Sequence, residues 1–116
     1  MARTTLRAME NAMRIVNLTP HPVNLLVDGA MVEVSSTGLA RCSVTIEELS
    51  QVAGIRIVRT LYGQVQGLPE PEEGTIYIVS ALVLAALAGS RDDVFAPADY
   101  IRNEAGQVVG AKALTK

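Results

Sequence analysis

The sequence predicts an α+β fold dominated by β structure, mostly antiparallel, arranged as a sheet or partly closed barrel with one main helix around residues 80–89. Two observations carry this. Short apolar runs rich in β-branched residues recur between turn signals at intervals of about eight to twelve residues. A single Ala/Leu-rich stretch, Ala81 to Ala88, favours a helix of any length. No internal repeat or heptad competes with that reading.

Taken in order, residues 1–12 (MARTTLRAMENA) are polar and weakly helical and read as a flexible N-terminal segment. Residues 13–116 read as a single domain, with Met13 as an alternative start to Met1. Arg14 to Leu18 forms a first strand, stopped by Thr19-Pro20-His21-Pro22, because two prolines so close cannot sit in a central strand. Val23 to Val27 and Ala30 to Val34 flank Asp28-Gly29, a strong hairpin signal. Leu39 to Ile46 alternates as a fourth strand, and Glu47 to Ala53 reads as a helical turn or loop ending at Gly54. Ile55 to Tyr62 is expected to be half-buried, with Arg56 and Arg59 toward solvent. Gly63 to Gly74 is turn-rich and acidic, and delivers the chain to Thr75–Val79, a buried strand. Ser80 suits the helix N-cap, and Gly89 suits a left-handed C-terminal cap. Val94-Phe95, Ala98 to Arg102 and Gln107 to Leu114 supply the last strands, with a turn at Asn103–Gly106.

Composition narrows the function classes. With 116 residues, 49% of them hydrophobic, the chain can bury one modest core, which the scarcity of aromatic residues makes aliphatic. A net charge of −2 argues against a nucleic-acid polymer as partner, since that binding rests on clustered cations. No basic amphipathic helix points to a membrane surface. The longest apolar run, residues 75–88, is too short to span a bilayer, and the first 13 residues lack the apolar centre of a signal peptide. A cytoplasmic location is the expectation. Cys42 is the sole cysteine, so no disulfide framework or thiolate metal set is implied; it reads as a buried structural thiol.

Eight of the ten cations are arginine, the residue suited to bidentate recognition of carboxylate or phosphate. The candidate ligand-binding set is Asn17, Thr19, His21, Arg56, Arg59, Tyr77, Ser80, Arg91, Asp92 and Arg102. The arginines would pair with an anion, Asn17, Thr19 and His21 would hydrogen-bond a base or sugar, and Tyr77 would stack. Ser80 opens a helix whose N–H groups point outward, and Asp92 belongs to the charged triplet Arg91-Asp92-Asp93 that follows it. No catalytic residue, metal set or cofactor is assigned, because no nucleophile elbow, second histidine or phosphate-binding glycine loop is present.

Several stretches together resemble a family of small, mostly uncharacterised proteins from phages, prophages and bacterial genomes. The matching residues are Asn17–His21, Gly38 with Ala40-Arg41, Gly54–Arg59, Tyr62-Gly63, Gly67–Pro71, Gly74–Ser80, Arg91–Asp93, Ala96-Pro97, Asp99 and Arg102. The resemblance covers residues 15–114, nearly the whole chain. Two turn positions depart from the pattern: Ser36-Thr37-Gly38 where the family has Pro-Ser-Gly, and Ala98 where it has glycine. The resemblance implies a phage-encoded protein working in the bacterial host cell. Two readings follow. The first is a small-ligand-binding protein that binds or sequesters an anionic, nucleotide-like molecule, with an anti-defence role by analogy and a homo-oligomeric state. The second is a non-catalytic structural or interaction protein, a homo-oligomer meeting a host or phage protein through a sheet edge. An enzyme using His21 or Asp92-Asp93 ranks third.

Overall fold

The computed structural model describes residues 14–116; the flexible segment expected over residues 1–12 lies outside the described residues. The elements run β1 (Arg14–Asn17), β2 (Val23–Val27), β3 (Ala30–Val34), β4 (Val44–Val52), β5 (Ile55–Tyr62), β6 (Thr75–Ile78), α1 (Ala81–Leu87), β7 (Val94–Arg102) and β8 (Val108–Thr115). Six strands form one sheet in the order β1-β6-β7-β8-β2-β3, and β4 and β5 form a separate two-stranded sheet. Strand β3 curls back toward β1, where Asn17 and Ser36 form a parallel bridge and the Thr37 N–H donates to the Asn17 carbonyl at 3.0 Å. The sheet is thus a nearly closed barrel. Most paired residues are antiparallel, as predicted, and the parallel contacts concentrate on β6.

The reason lies in β6 itself. Its run Thr75-Ile76-Tyr77-Ile78 is buried throughout, the signature of a strand covered on both faces. Tyr77 and Val79 face a cluster with Leu18, Ala40, Val83 and Val94 beneath the helix, whereas Ile78 faces Leu25 and Ala111 inside the barrel. Strands β6 and β7 run parallel, so the chain must cross over between them, and α1 is that crossover. The Ser80 hydroxyl accepts from the Val83 N–H at 3.3 Å, the expected N-cap. At the other end Ala88, with φ 51°, takes the left-handed cap position, and Gly89 follows with φ 79°. The helix therefore stops one residue earlier than its composition suggests.

Three further expectations are corrected. Glu47 to Ala53 is neither helix nor loop: it is strand, and β4 begins at Val44 rather than Leu39. Ala53 and Gly54 both have positive φ, 51° and 78°, the geometry of a type I′ turn, and the ladder with β5 overrides the helical preference of the glutamates. Strand β5 is exposed along its whole length instead of half-buried. Finally, β7 is continuous from Val94 to Arg102 through Pro97. Pairing with β6 ends at Phe95, so the missing proline N–H costs no ladder bond on that side. Cys42 is half-buried and packs against the helix-side cluster.

Candidate interaction surface

The Thr-Pro-His turn is held by its first residue. Asn17 is fully buried at the end of β1. Its Nδ2 donates to the carbonyls of His21 at 2.8 Å and Val34 at 2.9 Å, and its Oδ1 accepts from the Thr19 N–H at 2.9 Å and the Thr19 hydroxyl at 2.7 Å. That exhausts the amide's two donors and fills its carbonyl. Asn17 and Thr19 therefore fold the turn and tie β1 to β3, and the His21 side chain lies exposed outside the knot.

Arg91 is committed through its Nε and Nη2. Its Nε and Nη2 donate to the two carboxylate oxygens of Asp93, each at 2.9 Å, and Nη2 also donates to the Pro69 carbonyl at 3.0 Å. The guanidinium stands 5.9 Å from the centroid of the Tyr77 ring, whose hydroxyl donates to the Glu70 carbonyl at 3.3 Å. This assembly straps the acidic loop before β6 onto the strand. The hydrogen bonds from Arg91 hold the Asp93 carboxyl below the usual carboxylate range, and the same bonds raise Arg91. Asp92, between them, points to solvent.

The other arginines lie elsewhere. Arg102 sits at the far end of β7, roughly 25 Å of strand beyond Val94, and donates to the Gly106 carbonyl at 2.9 Å within the β7–β8 turn. Arg56 and Arg59 are on β5, where Arg56 pairs with Glu48 through its Nε at 2.8 Å and Arg59 approaches Glu47 at 3.9 Å. The structure brings together Asn17, Thr19 and His21, and separately Tyr77, Arg91 and Asp93; it does not bring the arginines to one place. One groove, of about 320 Å³, is lined by Pro22, Val23, Pro97, Tyr100 and Val108–Ala111, and another, of about 420 Å³, runs beside the helix past Leu84, Leu87, Arg91, Asp92 and Lys116.

The surface that sequence reasoning missed is the β4–β5 hairpin, here called the arm. The strand rise of about 3.3 Å per residue makes it roughly 30 Å long. Among the described residues its anchorage is at its base, where the Gly63 N–H donates to the Ser43 carbonyl at 2.8 Å and Arg41 and Gln66 exchange backbone bonds. Among the described residues, no arm residue belongs to either core cluster. Yet it is strongly apolar. Val44, Ile46, Val58 and Tyr62 share one face, and Val52, Ile55, Ile57 and Leu61 share the other, by the pairing register. Ile46 and Val52 are 61% exposed and Ile55 is 65% exposed. Each face also carries one ion pair, Glu48–Arg56 on the first and Glu47–Arg59 on the second. The signal was present in the Ile55–Tyr62 run, where apolar residues fall on both alternation phases; a half-buried strand has them on one.

No family model, curated protein or solved structure matches the chain. Among the described residues no helix is long and apolar enough to cross a membrane.

Proposed function

We propose that this is a non-catalytic interaction protein that assembles through its arm. One observation carries the reading: a two-stranded hairpin, detached from the main sheet, exposes large aliphatic side chains on both faces. Such a hairpin is at best marginally stable in water by itself. Contiguous exposed apolar surface of this kind marks an interface. Of the four candidate arginines, Arg91 and Arg102 bond groups within the barrel and Arg56 and Arg59 face the arm's own glutamates.

The test is amide hydrogen exchange of the full chain at graded protein concentration. Amides of β4 and β5 should be protected at high concentration and lose that protection on dilution, while β6 stays protected throughout. Arm amides that exchange freely at every concentration would overturn the reading.

A further inference from the structure

Resting on that reading, we propose that the arm's partner is the arm of a second copy of this chain, and that the contact is head-to-tail: the free edge of β4 receives the free edge of β5 from the next copy. Among the described residues, both outer edges of the two-stranded sheet lack a strand neighbour, so each offers a row of unpaired backbone groups. What selects the pairing is charge. Strand β4 carries Glu47 and Glu48 and no cation, and β5 carries Arg56 and Arg59 and no anion. Pairing like strands about a twofold axis brings together charges of one sign in every register, and in some sets Glu47 or Glu48, or Arg56 or Arg59, directly against its own copy, which is unfavourable across a ladder. Pairing β4 with the next copy's β5 in the arm's own register sets Glu47 between its own Arg59 and the neighbour's, and sets Glu48, opposite Val58, diagonal to an Arg56 on each side.

The direction of the strands agrees. Arms that point the same way present β4 antiparallel to the adjacent β5, so the antiparallel ladder within each hairpin continues from copy to copy. Such a contact is heterologous, and it closes into a ring or extends as a filament depending on the rotation between copies. The irregularity between Glu48 and Ser50 interrupts β4 midway and restrains the register, because a strand slipping past it loses its ladder. The ion pair on each face also sets this array apart from a membrane barrel, whose lipid-facing band is apolar.

The decisive experiment mixes the wild-type chain with the charge-reversed variant Glu47→Arg/Glu48→Arg/Arg56→Glu/Arg59→Glu. That variant keeps opposite charges across its own hairpin, so its arm retains the reason to fold. Native mass spectrometry should show that each protein assembles alone and that the two sort, with mixed species depleted at least about tenfold below statistical mixing. In the head-to-tail contact, wild-type β4 would meet glutamates on the variant's β5, and the variant's β4 would meet arginines. Statistical mixing would overturn the proposal in favour of a contact blind to charge, and preferential mixed assembly would overturn it in favour of like-strand pairing. A reversed variant that fails to assemble while the wild type does would also overturn it. A wild-type chain that stays monomeric would instead overturn the assembly reading beneath it.

Discussion

At the scale of single residues, the polar side chains that stand out in the sequence prove to be fasteners. Asn17 is the clearest: buried among two carbonyls and a threonine, it uses both ends of its amide. Asn17→Asp keeps the shape but turns two donors into acceptors facing carbonyls, and should cost on the order of 3 kcal/mol in a urea titration. Asn17→Ser, which can replace at most one donor, should also destabilise. Asp93 gives a pH signature. The folded chain holds this carboxyl deprotonated more strongly than the unfolded chain does. Its pairing with Arg91 is therefore fully felt above the ordinary carboxylate range and lost as pH falls through the folded-state value. Asp93→Asn should lower stability near neutrality while narrowing its gap to the wild type in acid; a gap that stays constant with pH would contradict this. The residue types at these positions were legible in the sequence. Their partners were not, because Asn17 meets Val34 and Arg91 meets Pro69 only after the chain has folded back on itself.

Among elements, the helix was legible almost to the residue, since an N-cap serine, an alanine-leucine run and a glycine are local signals that act within a few positions. Ser80→Ala should cost about 1 kcal/mol of stability by loss of the cap, measured by thermal or urea unfolding. The β2–β3 hairpin was equally legible from Asp28-Gly29, which adopts the positive-φ pair its turn requires. Strand β4 was not. Its Glu-Glu-Leu-Ser-Gln core has helical preference, and only the opposing β5 decides the matter, a non-local fact. The turn still carries a cost, because Ala53 is held at φ 51°. Ala53→Asn, a residue better suited to that conformation, should stabilise the arm by up to about 1 kcal/mol. Slower exchange of the β4–β5 amides would register the gain; unchanged or faster exchange would count against the turn's role.

The whole molecule divides into a barrel that holds both buried clusters of the described residues and an arm that lies outside them. The barrel's two aliphatic clusters sit on either side of β6, and its polar turns are tied by Asn17 and Arg91. The arm contributes to neither cluster and exposes apolar groups that the barrel does not cover. Fold class was readable because apolar periodicity and turn chemistry are written locally, whereas the distinction between an apolar run that enters the core and one that leaves it is set by topology alone. The most direct test compares the full chain with one in which an Asn-Gly turn joins Ser43 to Gly63, residues already linked by a hydrogen bond of 2.8 Å. Light scattering coupled to size exclusion should find the full chain oligomeric and the shortened chain monomeric, with the barrel unfolding within a few degrees of the original temperature. A monomeric full chain, or a shortened chain that keeps the same oligomeric state, would contradict assembly through the arm.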